Sequence, residues 1–134
     1  MSSPTSRTLA VLRKEGLRCQ VVERWVAQAR RRVDLWGFID IVAMEGKFVA
    51  ITPELMIPAD TGSIIGIQVC AGASHAARRT KILKDCRHDA ILWLACKGKI
   101  QIRSWSKRKH KLKNGKKVDR WTERIEQITL EDFD

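Results

Sequence analysis

The sequence predicts a mixed α/β fold: a mixed β-sheet flanked by helices, closed by a C-terminal basic β-hairpin. Three observations carry this. Apolar, β-branched runs recur at VDLWGFIDIVAM (33–44), SIIGIQVCAG (63–72), DAILWLAC (89–96) and KIQIRSW (99–105). Stretches with helical spacing lie at 5–15 and 75–85. The basic tail from Ser106 carries Asn114-Gly115, a dipeptide favoured in hairpin turns.

The chain of 134 residues is long enough for one domain with its own core. Lys and Arg outnumber Asp and Glu by 26 to 15, a net charge of +11. Such an excess points to a polyanionic partner, nucleic acid first. No apolar run approaches the roughly 20 residues of a membrane span, and no long basic amphipathic helix suits a membrane surface. The first residues lack the apolar core of a secretory signal. A cytoplasmic, reducing setting is therefore expected, with Cys19, Cys70, Cys86 and Cys96 as buried free thiols.

In order, residues 5–15 read as a helix capped by Thr5 or Ser6 and ended by Gly16. LRCQVVERW (17–25) is the first strand, with Glu23 near its end. The run Arg30, Arg31, Arg32 is an exposed loop, either solvated or in contact with phosphate. Residues 33–44 form the second strand, bent at Gly37, with Asp34 ordering the bend. Glu45-Gly46 turns into a third strand at 47–54, and Pro53 and Pro58 bracket a loop. Residues 63–72 form a central fourth strand. Ser74 caps a helix over 75–85, with Arg79, Ile82, Leu83 and Cys86 on one side and Arg78, Lys81 and Asp85 on another. Residues 89–96 form a fifth strand buried on both faces, and 99–105 a sixth. The single domain thus has a core at about 5–106 and a basic arm at about 106–130, which is either a β-hairpin or a partly disordered loop.

Two core strands carry a polar side chain where burial normally forbids one: Asp40 in the second and Gln68 in the fourth. An unpaired polar group out of water costs about 1–3 kcal/mol. Two on neighbouring strands suggest a site.

Glu23, then Asp40 closing GFID, then Gln68 in IQVC resembles the PD-(D/E)XK nuclease superfamily, which includes restriction endonucleases and archaeal Holliday junction resolvases. That pattern has an early helix, a strand hairpin with an Asp, a strand with (Glu or Gln)-x-Lys, then a helix and a strand. DLWGFID, IQVCAGASHAARRTKI and IQIRSWSKR look like small phage and bacterial proteins of this type, over about residues 5–106. The resemblance implies a restriction-endonuclease-like fold and a Mg²⁺- or Mn²⁺-dependent endonuclease acting on DNA, junction resolvase-like, working as a homodimer. Phosphodiester hydrolysis calls for a metal that activates water and offsets phosphate charge, and Mg²⁺ prefers oxygen ligands. Asp40 would be the principal carboxylate, with the Gln68 amide oxygen and the Val69 carbonyl beside it and Glu23 completing the set. Where the pattern wants Lys, this chain has Cys70. Arg78 and Lys81 on the following helix are the replacement cations. Arg30, Arg31 and Arg32, with Lys107, Arg108, Lys109 and Lys111, would hold the DNA backbone.

Other groups carry less chemistry. Cys86-Arg87-His88 lacks a second zinc-type pair, Cys70 and His75 lack an orienting third member, and His75 reads as a helix-start residue. Trp36, Trp105 and Trp121 serve as core or as stacking surfaces for bases. The alternative function is a non-catalytic nucleic-acid-binding protein on a degenerate nuclease scaffold, and a third is an RNA-binding subunit using the basic hairpin.

Overall fold

A five-stranded mixed sheet with helices on both faces organises the computed structural model, which describes residues 3–46, 48–58 and 62–134. Helix α1 (Pro4–Lys14) begins at Ser3, whose Oγ accepts the Ser6 N–H at 3.1 Å. Pro4, with φ already fixed for a helix, moves the start ahead of the expected Thr5 or Ser6 cap. At the other end Gly16 takes φ +84°. Its N–H donates to the Arg13 carbonyl and the Leu17 N–H to that of Leu12, satisfying carbonyls that the helix leaves open.

The expected first strand divides into β1 (Arg18–Val21) and β2 (Arg24–Val26). The break falls where the Val22 N–H turns to the Asp40 carbonyl at 2.8 Å. Strand β2 then pairs with β3 (Arg31–Val33) in a small separate hairpin. Arg31 and Arg32 thus lie in a strand, not in the expected loop, and Arg30 ends its turn. The expected second strand also divides. Leu35 and Ile39 exchange backbone hydrogen bonds around a tight turn with Trp36 at φ +52° and Gly37 at φ +83°, and β4 (Ile41–Glu45) follows. The bend at Gly37 is where the sequence puts it.

Strand β5 (Phe48–Ala50) is shorter than the third strand expected, because Leu55 donates back to Thr52 and bends the chain. Its partner β6 (Met56–Pro58) occupies part of the expected proline loop, with Pro58 closing a strand that has a single neighbour. Glu45 stays paired with Ser63 in the main sheet, and Lys47 lies outside the described residues.

Strand β7 (Ser63–Ala71) is central as expected, antiparallel to β4 and parallel to β8 (Lys99–Lys111). A parallel neighbour requires a crossover of a dozen or more residues. This one is helical throughout: a 3₁₀ turn (Gly72–Ser74), α2 (His75–Thr80), a π-turn (Lys81–Asp85) and α3 (Arg87–Ala95). Ser74 makes no side-chain cap bond. Residues 89–96 are therefore helix rather than a fifth strand. A short unpunctuated apolar run fits either element. Here the Cys86 N–H donating to Lys81 and the Ala90 N–H donating to Cys86 carry the helix across the junction. Leu92 is exposed, so the run is not buried on both faces.

Strand β9 (Lys117–Ile128) returns antiparallel to β8, completing the order β1-β4-β7-β8-β9. Leu12, Ile41, Ile65, Ile67 and Trp105 fill the layer under α1, while Phe38, Ile82, Ile100, Ile102 and Phe133 fill the one under α2 and α3. All four cysteines are free, but only Cys70 is buried; Cys96 is exposed at the end of α3. Among the described residues no helix is long and apolar enough to cross a membrane.

Candidate active site

Asp40 is held by its backbone before its side chain is considered. Its N–H donates to Ile67 on β7 and its carbonyl accepts from Val22 at the end of β1, both at 2.8 Å. Pinned between two strands, it lays its carboxylate over β7. There Oδ2 accepts the Gln68 Nε2–H at 2.6 Å and the Val69 N–H at 2.7 Å. Asp40 is 5% and Gln68 1% exposed. Both polar residues singled out on core strands therefore meet.

Asp34 joins them from across the tight turn. With Leu35 bridged to Ile39, the flanking residues 34 and 40 fall opposite one another. The Asp34 Oδ2 lies 3.4 Å from Gln68 Nε2 and 3.5 Å from Lys81 Nζ. Carboxylate oxygens of Glu23, Asp34 and Asp40 lie within 4.8 Å of one another. Glu23 sits at the break between β1 and β2 and pairs with Arg32 at 3.2 Å. These groups line a cleft of about 450 Å³, with Arg31, Arg32, Val69, Arg78, Lys81 and Thr5 of α1 on its walls.

The carboxylates titrate apart. Burial, the hydrogen bond with Asp34 and the charges of Asp34 and Glu23 push Asp40 up to about 8, against the opposing bond from Val69. Burial also acts upward on Asp34, but its bond with Asp40, the Lys81 ammonium and Gln68 outweigh it, so Asp34 lies below the usual range. Two carboxyl groups this close hold one proton between them, and Asp40 carries it. Burial pushes the Cys70 thiol up despite Arg78 and Lys81, so it stays neutral and supplies no charge. The Gln68 Oε1 is buried with no hydrogen-bond partner. Rotating the amide would turn that oxygen toward the carboxylates, an arrangement that a cation among them would favour.

Glu23, Asp40, Gln68, Val69, Arg78 and Lys81 thus share one cleft with Arg31 and Arg32. Arg30 is exposed at its turn and does not line it. Lys107, Arg108, Lys109 and Lys111 lie on the hairpin beyond it. Asp34, expected mainly to order the bend, joins the cluster as well, and the readable signal is its placement six residues before Asp40, at the other foot of a turn. The site is braced from α2. His75 starts α2 as expected, but it is 2% exposed and held between Ser104 Oγ at 2.7 Å and Glu126 Oε1 at 2.8 Å. Arg79 pairs with Glu126 and Asp132. The Ser104 hydroxyl is itself buried, so this Ser–His–Glu row is a brace and offers no nucleophile to a substrate.

No family model matches the chain, nor does any curated protein or solved structure.

Proposed function

We propose that the chain is a metal-dependent endonuclease of PD-(D/E)XK type that hydrolyses DNA phosphodiester bonds, with the structure specificity of a junction resolvase. The observation that carries this reading is the convergence of Asp40, Asp34, Glu23 and Gln68 with Lys81 in one cleft walled by arginines. The helix, the antiparallel β4–β7 pair and the helical crossover to a parallel β8 support a restriction-endonuclease-like fold.

The residues fit Mg²⁺ or Mn²⁺. The donors are hard oxygens, and the buried Gln68 Oε1 lacks a partner. Asp40 would be the principal ligand, with Gln68, Asp34 and Glu23 around it. The Val69 N–H is spent on Asp40, which leaves its carbonyl on the same strand edge facing the cleft. The metal would lower the pKa of a bound water and offset phosphate charge. Lys81 supplies the ammonium that position 70 lacks, 3.5 Å from Asp34, where it can orient water or stabilise charge on the phosphate. Arg78, Arg31 and Arg32 hold phosphate oxygens at the rim. Cutting both strands of a duplex takes two such clefts, hence a homodimer.

One observation favours the alternative of a non-catalytic nucleic-acid-binding protein on a degenerate nuclease scaffold. Cys70 stands where the pattern has its lysine, and its thiol is neutral. Cleavage of supercoiled plasmid and of a four-way junction, in Mg²⁺, Mn²⁺ or EDTA, separates the two. We expect metal-dependent cutting that is lost in Asp40→Asn and falls by about 10²–10³ in Lys81→Ala. Protein that shifts DNA but cuts neither substrate in either metal would leave only the binding reading.

A further inference from the structure

Beyond Trp105, β8 leaves β7 and pairs with β9 alone, so residues 106–111 and 117–122 form a free two-stranded ribbon. Over residues 107–120 it carries eight Lys and Arg against the single acid Asp119. Directly paired residues in an antiparallel ladder share a face. Lys107, Lys109, Lys111 and Lys117 therefore occupy one face, and Arg108 and Arg120 the other. An arm lying along a surface would need cations on one side only, and a merely soluble arm would mix signs. Cations on both faces fit an anionic wall on each side.

We propose that this ribbon enters the major groove of B-form DNA. That groove is about 12 Å wide and 8.5 Å deep and admits a two-stranded β-ribbon. At about 3.4 Å per residue, the four steps from Lys107 to Lys111 span roughly 14 Å, enough to reach the floor while the base of the ribbon meets the flanking phosphates. Double-stranded RNA has a major groove too narrow for side chains, and a single strand has no groove. The ribbon's base is fixed. The Arg7 guanidinium stacks 3.5 Å from the Trp121 ring, and the Trp105 Nε1–H donates to Thr8 Oγ1 at 2.9 Å. Both anchors belong to α1, whose Thr5 lines the cleft, so the ribbon leaves the sheet at the end that holds the candidate site. The inference rests on the nucleic-acid part of the proposed function and is independent of cleavage.

Binding measured by fluorescence anisotropy in EDTA tests it, on a short DNA duplex, its single strand and the matching RNA duplex. Two variants remove one face each: Lys107→Gln with Lys109→Gln and Lys111→Gln, and Arg108→Gln with Arg120→Gln. All five side chains are solvent-exposed, and circular dichroism checks the fold. The DNA duplex should bind at least about tenfold tighter than either other probe, and both variants should weaken it. Each lost phosphate contact should lower the salt slope by about 0.9. Duplex DNA bulky in the major groove should bind poorly, while a minor-groove ligand should not compete. Dependence on one face only, equal binding of the single strand or RNA duplex, or competition by the minor-groove ligand would each overturn the proposal. Because no metal is present, a failure of cleavage leaves this result unaffected, and the reverse also holds.

Discussion

Asp40 retains a proton that an unfolded chain releases near 3.8, because folding raises its carboxyl to about 8. Between those values the folded state binds more protons than the unfolded one, so stability falls as pH rises. The metal-free protein should therefore lose midpoint stability in urea across roughly pH 4 to 8, and Asp40→Asn should flatten that loss. On the proposed function, metal binding through Asp40 displaces the same proton, so Mg²⁺ or Mn²⁺ affinity should strengthen with pH up to about 8 and then level off. Calorimetry in buffers of different ionisation heat would count the proton released. A count of zero at pH 7 would mean that Asp40 is no ligand.

Elements, more than single residues, set the distances in the cleft. The Leu35–Ile39 turn places Asp34 against Asp40, and Gly37 at its centre has φ +83°, where a Cβ would sit 3.1 Å from the Cys86 Sγ and that side chain would have to give way slightly. Gly37→Ala should cost about 1–2 kcal/mol from the left-handed backbone alone, and should also weaken metal binding by shifting Asp34. On the opposite wall, α2 is fastened to β9 through Glu126, which accepts from both His75 and Arg79. Burial acts upward on its carboxyl, but these bonds outweigh it and keep Glu126 below the usual range. Removing it in Glu126→Ala leaves Nε2 of the buried His75 unpaired, with Nδ1 still on Ser104, and should cost about 1–3 kcal/mol in urea unfolding.

At the scale of the molecule, Glu23, Asp34 and Asp40 gather in one cleft of a chain whose net charge is +11, and on the proposed function that cleft is where a phosphate approaches. On the proposed function, ionised Asp34 should oppose DNA when no metal is bound. Asp34→Asn should then bind duplex DNA several-fold more tightly in EDTA, on the order of 1 kcal/mol for one repulsion across a solvated gap. The meeting of Asp40 and Gln68 was legible because burial makes polar residues conspicuous: both interrupt apolar runs, and their contact follows from adjacent strands. The central β7 and the basic hairpin were legible for similar local reasons, an unbroken apolar run and Asn114-Gly115. Asp34 was not, because only the bridge between Leu35 and Ile39 makes it a neighbour of Asp40. The identity of 89–96 was hidden as well. AILWLA satisfies either period, and the parallel pairing of β7 and β8, which demands a long crossover, is a tertiary fact. The split between β1 and β2 depends on Val22 bonding to Asp40, a contact between residues eighteen positions apart.

Strand β8 runs without interruption from the buried centre of the sheet, where Ile100 and Ile102 are fully covered, to the exposed Lys111. It contains no glycine or proline at which the backbone could hinge. Load applied to the outer half is therefore passed along one hydrogen-bonded ladder into the interior, and the ribbon behaves as a lever fixed at its root. Hydrogen exchange should register this as a gradient. With duplex DNA present, amides should slow most at residues 107–111, less toward Trp105, and least at Ile100, whose protection is already set by global unfolding.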